Sequence, residues 1–494
     1  MNSKTRNVPP RASTMFESLR GLGYSTASAL ADIIDNSISA HATEVYVNFE
    51  WKENLSSIYI LDNGIGMSDA QLECAMRLGD KSPLVARESN DLGRFGMGLK
   101  TASLSQCRRL TVASLQNSHI SCLRWDLDLL AKSPEAGWLL HEGLAEDSEG
   151  SLSHLNNLNS GTLVLWELLD RIITPQYSVE DFLDLISNVE SHLAMVFHRL
   201  LQAPNPRLKI FLNKTPIKPW DPFMTGHIAK PWSSPVTRKT TSSGVVEIEC
   251  HVLPHQDKLS TKEFEFSAGP SGWTMQQGFY VYRNERLLVA GGWLGIGSKK
   301  AWNREEVYRL ARIRIDIPNT ADSDWKIDIR KSIARPPVSI RPWLTKYAED
   351  TRERARKVFA FRGAYNQGAR GAPVEQAWRT EHSRGGVKYK IDLKHPAISA
   401  VLDSVGSNLT LVKAMLRVIE ETVPVQKIWL DTAENKDTPL TGFAGDPPAE
   451  VKSVLITLFE DMVQRKGMSK EIARNVLIAT EPFSSFPELV KSLT

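Results

Sequence analysis

From Tyr24 to Ile38, apolar side chains recur at Ala27, Leu30, Ala31, Ile34 and Ile38, the spacing of one helix face. Asp32 and Asn36 stand one turn apart on the polar side, with Asp35 and Ser39 close to them. A strand-like run, Ser57 to Leu61, leads into Asp62-Asn63-Gly64-Ile65-Gly66-Met67. The string Gly93-Arg94-Phe95-Gly96-Met97-Gly98-Leu99-Lys100-Thr101 opens a helix predicted over 99–105. Ser160 to Trp166 reads as a strand entered through Gly161 and Thr162, and 277–288 reads as strand, turn, strand. Residues 325–332 have the form of a strand followed by a lysine. Beyond 375 the pattern turns mainly helical. Trp378 to Asp392 suggests a short helix and a strand, and helices are predicted over 395–401, 409–422, 448–466 and 469–479, the last capped by Ser469.

The first three strings carry chemistry. An amide oxygen at Asn36 suits Mg2+, a hard ion that keeps several waters. A neighbouring carboxylate orients or deprotonates a water for attack on a γ-phosphate. Asp62, at a strand end, would accept a hydrogen bond from an adenine amino group. Asp-Asn-Gly is also a common hairpin turn. Its position soon after the helix with two carboxylates is what points to a site. Gly64 and Gly66 let a base approach the backbone. Amides at the start of a helix cradle phosphate, and Lys100 could add a point charge. Leu99 separates Gly98 from Lys100, so this is not a Walker A loop, and the spacing is not a dinucleotide fingerprint. Residues 79–90 read as a lid that closes over nucleotide.

In this order the strings resemble the N, G1 and G2 boxes of the GHKL ATP-binding fold, shared by gyrase B, MutL, large heat-shock chaperones, histidine kinases and MORC ATPases. The lid end looks closest to the MORC form, and bacterial MORC-like and MutL-like proteins share it. The resemblance implies an α/β (α+β) chain. A Bergerat-type sandwich would cover 1–175, an S5-like transducer domain 176–345, a basic helix and linker 346–374, and a mainly helical domain 375–494. It implies ATP and Mg2+ as cofactors. Asp32 would be the general base in place of the usual glutamate, with Asp35 as the alternative, and Asn36 the metal ligand. Aspartate is one methylene shorter, so slow turnover is expected. Asp62, Gly64, Gly66, Met67 and Thr162 would hold the nucleoside. Gly93, Arg94, Phe95, Gly96, Met97, Gly98, Leu99 and Lys100 would close on the phosphates. Lys331, with Lys326 behind it, would sense the γ-phosphate. The same resemblance implies nucleotide-dependent homodimerisation and a setting in bacterial restriction, phage defence or repair, beside a nuclease or other defence protein.

Composition sharpens this picture in one place. The 494 residues are 41% hydrophobic and 24% charged, with no apolar run long enough for a membrane helix. The start lacks a signal peptide's apolar core, and the four cysteines have no metal spacing, so a cytoplasmic location is expected. Net charge is only +3, yet Arg330 to Lys390 holds fifteen lysines and arginines against five carboxylates. That surplus of ten, with Arg352, Arg354, Arg356 and Lys357 on one predicted helix, fits a DNA-contacting stripe or a solvated helix and linker. The MutL metal-endonuclease motif is absent from the chain. The competing functions are a nucleotide-binding scaffold without efficient turnover and a chaperone-like ATPase acting on a protein. A histidine kinase fits poorly, because the first box lies close to the start of the chain.

Overall fold

The computed structural model describes residues 10–79, 97–132, 137–202, 204–322, 324–328, 331, 333–360, 375–383, 386–428 and 447–493. They form two compact units, one made of residues up to 254 and 259–356, the other of 255–258 and 357 onward.

The first unit begins with helices α1 (Ala12–Arg20) and α2 (Thr26–Ser39), then strands β1 (Glu44–Glu50) and β2 (Ser57–Asp62). Helix α2 starts where the sequence predicts because Ser25 and Ser28 cap its first turn reciprocally. Along β1, Val45, Val47 and Phe49 point inward in strict alternation. Helices α3 (Asp69–Met76) and α4 (Gly98–Leu104) precede β3 (Arg109–Gln116), β4 (His119–Asp126), α5 (Leu127–Lys132) and β5 (His141–Glu142). Strand β6 (Gly161–Glu167), helices α6 (Val179–Val196) and α7 (His198–Leu201), and strands β7 (Lys209–Leu212) and β8 (Thr215–Pro216) follow. These strands make one eight-stranded sheet in the order β5-β4-β3-β6-β2-β1-β7-β8. Helices α2, α4 and α6 pack together, and their apolar residues share a core with the sheet. The sheet extends past the boundary expected at 175, because β7 pairs in parallel with β1 and carries the layer to Pro216.

A second sheet follows, built from β9 (Trp232–Ser233), β10 (Thr237–Thr241), β11 (Gly244–Val252), β12 (Gly278–Arg283), β13 (Arg286–Ala290) and β14 (Ala311–Ile317). Its order is β10-β11-β14-β12-β13, with β9 on β11. Helices α8 (Thr261–Ser267) and α9 (Gly272–Met275) lie between β11 and β12 in the chain, and α10 (Arg341–Ala360) follows β14. The hairpin read at 277–288 is β12 and β13. The strand expected from Trp325 is a turn instead. The amide of Ile327 donates to Asp322 O at 3.1 Å, and Lys326 takes φ +49°, which a strand does not allow.

The two sheets meet through polar contacts as well as apolar ones. The Nε2 of His198 lies 2.8 Å from the Tyr282 hydroxyl, Arg199 pairs with Asp316, and the Arg199 guanidinium lies over the Tyr282 ring. Tyr282 is fully buried, and burial pushes the His198 pKa down to about 4, leaving the ring neutral.

In the second unit, Trp378–Asp392 is not a helix and strand but a hairpin of β15 (Trp378–Ser383) and β16 (Gly386–Ile391). Helices α11 (Pro396–Ser404), α12 (Leu409–Glu421), α13 (Ala449–Glu460), α14 (Lys470–Ile478) and α15 (Pro487–Lys491) follow. Ser469 caps α14 by accepting from the Ile472 amide. A small core forms around Leu455, Phe459, Leu477 and Phe483.

Candidate nucleotide-binding site

Three adjacent strands set up the floor of the site. The register places Asp62 of β2 opposite Thr162 of β6, and Thr162 opposite Ser114 of β3. One row therefore carries a carboxylate and two hydroxyls. Asp62 is 6% exposed and accepts from the Ser37 hydroxyl at 2.8 Å and the Gly64 amide at 2.9 Å. Burial raises its pKa, opposed by the Gly64 amide, the Ser37 hydroxyl and the Thr162 amide. Thr162 Oγ1 lies 3.0 Å from Ser114 Oγ, which also accepts from the Met67 amide at 2.8 Å. Ser37, on α2, ties the first box to the second.

The glycines are explained by backbone crowding. Gly66 has φ +68°, and a Cβ there would meet Leu115 O at 2.1 Å. At Gly64 a Cβ would meet Ala40 O at 2.8 Å. So Gly66 lets the turn pass under β3, a tighter demand than the approach of a ligand.

The other end of the site lies on α2. Asp32 and Asp35 are 4% and 1% exposed. The hydroxyl of Tyr24 donates to Asp32 at 2.9 Å. Lys331 Nζ donates to Asp32 at 3.1 Å and also to Asp35. Arg286 Nε donates to Asp35 at 3.1 Å, and Arg286 Nη2 lies 3.6 Å from Asp32. Burial would raise the Asp35 pKa, but the Arg286 and Lys331 charges outweigh it and hold the carboxyl below its ordinary value. A carboxylate held below its ordinary value is a weaker base, which counts against Asp35 as the alternative base. Burial and the Asp32 charge push the Tyr24 pKa upward, so Tyr24 remains a donor.

Asn36, on the same helix, is exposed and makes no side-chain hydrogen bond among the described residues. No group of three or more His, Cys, Asp or Glu among them could hold a metal. A single exposed amide oxygen, rather than an all-protein cage, is the donor set expected for Mg2+ shared with nucleotide phosphates. The residues therefore fit that ion.

Of the third box, Gly93, Arg94, Phe95 and Gly96 lie outside the described residues. Met97 precedes α4, which begins at Gly98. Leu99 packs against the core. Lys100 is buried and donates to Ala75 O at 2.8 Å. Of the two lysines weighed as sensors, Lys331 meets both carboxylates, whereas Lys326 is exposed.

Sequence reasoning missed Tyr24, Ser37, Ser114 and Arg286 as site residues. Arg286 sits in the recognised strand–turn–strand at 277–288, but only the fold shows that its side chain crosses to α2. Ser114 is a small polar residue in a strand that is otherwise nearly all buried.

Residues 24–162 match the family described as histidine kinase-, DNA gyrase B- and HSP90-like ATPases. The chain is 34% identical over 98 residues to the mouse ATPase MORC2B, covering 19% of this chain and 10% of that protein. It is 30% identical over 98 residues to human ATPase MORC2, covering 19% and 9%, and 28% identical over 96 residues to the nematode Caenorhabditis elegans ATPase morc-1, covering 19% and 11%. The similarity thus spans about a tenth of each relative.

Proposed function

Residues 24–162 being a GHKL-type ATPase domain of MORC-like character, we propose that the chain is a Mg2+-dependent ATPase working as a conformational switch. The observation that carries the reading is Lys331. It reaches from beyond the second sheet to the two carboxylates of α2. A lysine so placed can exchange those carboxylates for a γ-phosphate, and the exchange links nucleotide state to the relative position of the sheets.

Mg2+, when held by Asn36 and the phosphates, would neutralise charge on the transferred group. The residues of this chain do the rest. Asp62 accepts the base amino group, with Thr162 and Ser114 beside it. Asp32, kept in orientation by the Tyr24 hydroxyl, orients the attacking water and takes its proton. The Lys331 ammonium stabilises charge developing on the phosphoryl oxygens. Aspartate at position 32 reaches less far than glutamate, so turnover is slow.

Closing the switch pairs two copies of the chain, and DNA or a DNA-processing defence protein is the client. Sedimentation with a non-hydrolysable ATP analogue tests this. Parent protein should shift to dimer, and Lys331→Ala should bind the analogue and stay monomeric. Equal dimerisation of both would remove the sensor role. ATP hydrolysis measured with and without DNA tests the client; no change would favour a protein client acted on by a chaperone-like ATPase.

A further inference from the structure

A cleft of about 600 Å³ opens beside the second sheet, lined by none of the residues of the nucleotide site. Trp293 and Trp302 and three exposed arginines, Arg304, Arg335 and Arg341, are among its lining residues, and no acidic residue is. None of the three arginines is ion-paired among the described residues. Arg341 Nε donates to Pro336 O at 3.1 Å, which leaves its charge unbalanced. Three like charges around one hollow repel each other, weakly because they are exposed, and an anion entering it relieves that repulsion.

The aromatic wall is built rigidly. Trp293 and Trp302 meet edge to face at 5.6 Å. The guanidinium of Arg352 lies 4.6 Å from both ring centroids and 3.6 Å from that of Tyr308, and is paired with Glu305 at 3.6 Å. Trp302 is half-buried and held in place while it faces the cleft. A fixed indole plane beside unpaired arginines suits a ligand with a flat ring and a phosphate. The volume lies in the range of single-ligand pockets. A duplex keeps its bases stacked away from such a wall, whereas a single strand can turn one outward.

We propose that this cleft binds a nucleotide unit of single-stranded nucleic acid, with its phosphates against Arg304, Arg335 and Arg341 and its base against Trp302. Hydrogen bonds among described residues connect the cleft to Lys331 of the ATPase site. Arg335 N donates to Trp325 O at 2.6 Å, and Trp325 is buried. Asp328 accepts from the Lys331 amide at 3.0 Å through its carbonyl and from the Ile333 amide at 2.9 Å through its carboxylate. Lys331 therefore lies within a few residues of Ile333, Ala334 and Arg335, which form part of the cleft wall. Strand binding thereby biases Lys331. This coupling rests on the ATPase reading, but the binding itself does not.

The test is fluorescence anisotropy of a labelled oligo-dT with the full chain, from roughly 50 to 200 mM salt. Arg304→Ser/Arg335→Ser/Arg341→Ser should weaken binding at least tenfold and flatten the salt slope by about 0.7 per lost phosphate contact. Trp302→Leu should weaken it about 5- to 150-fold, the range for one stacked base. Asp62→Asn should lose ATP affinity yet keep oligo-dT affinity, which separates failure of this site from failure of the ATPase reading. Oligo-dT affinity unchanged in the triple variant would overturn the proposal. So would duplex DNA binding as tightly as single strand with Trp302→Leu indifferent. Displacement by thymidine monophosphate at equal concentration would also overturn the nucleic-acid assignment, in favour of a free nucleotide.

Discussion

Arg286→Leu tests the join between the two sheets most directly. The guanidinium is 4% exposed and its partner Asp35 1%, so solvent does little to screen the pair. Breaking a buried pair by removing one partner costs about 3–5 kcal/mol. Lys331 remains against both carboxylates, so the lower end, about 3 kcal/mol, is expected. The unit holds about 350 residues, so at about 2.1 cal/mol/K of unfolding entropy per residue the loss corresponds to a fall in Tm of roughly 4 °C at pH 7.5. The pH dependence carries a sign. In the parent, the Asp35 pKa is held below its ordinary value, so its pairing stabilises the fold above the unfolded pKa of about 3.9 and fades as pH falls through the folded one. Without Arg286, burial gains weight, Asp35 protonates more readily, and the variant recovers stability on acidification. The gap between parent and variant should therefore narrow from pH 7.5 towards pH 4. Calorimetry across that range is the assay, with Arg286→Leu/Asp35→Leu closing a double-mutant cycle. The double variant should be less damaged than the single effects predict by about 1 kcal/mol or more. A single variant melting within about 1 °C of the parent, or a gap constant with pH, would refute the reasoning.

Other substitutions separate binding, turnover and folding. Asp62→Asn should weaken ATP binding about tenfold or more, since a charge-assisted hydrogen bond contributes ~1.5–3 kcal/mol; calorimetric titration reads it. Asp32→Asn should keep ATP affinity and lose about 10²–10⁴-fold in turnover, measured by phosphate release; parental turnover would move the base elsewhere. Arg352→Ser, read by thermal melting, should destabilise the first unit by about 1–3 kcal/mol, because it strips the cation from three rings and an ion pair.

That last expectation departs from the sequence reading, which placed Arg352 on an exposed basic stripe. Arg354 pairs with Asp350 and stacks on Trp232, and Arg356 pairs with Glu353. A charge surplus along the chain does not say which charges turn inward; that depends on which faces the tertiary fold covers. Local features were more legible. Helix α2, the acid–glycine turn, the β6 strand and the Ser469 cap follow from spacing and capping chemistry within a few residues. Lys331 was singled out through resemblance alone, since nothing local distinguishes it from Lys326. Ser114 and Arg286 were not legible because their roles depend on strand register and on a contact across 251 positions of chain. The strand expected at Trp325 failed because hydrogen bonds to Ala321 and Asp322 fold those residues back as a turn.

The contacts of His198 with Tyr282, Arg199 with Asp316 and Arg286 with Asp35 make the joint between the sheets a keyed one. Apolar faces slide over each other cheaply, because burial has no preferred direction. Paired buried polar groups do not, since a small displacement breaks each pair before another forms, at a cost of about 1–3 kcal/mol apiece. If the proposed switch operates through this joint, it would have two settings, engaged and released, with a barrier between them. On the proposed function, nucleotide turnover would then drive it as a latch rather than a dial, and partial occupancy of the site would yield a mixture of two forms instead of one intermediate shape.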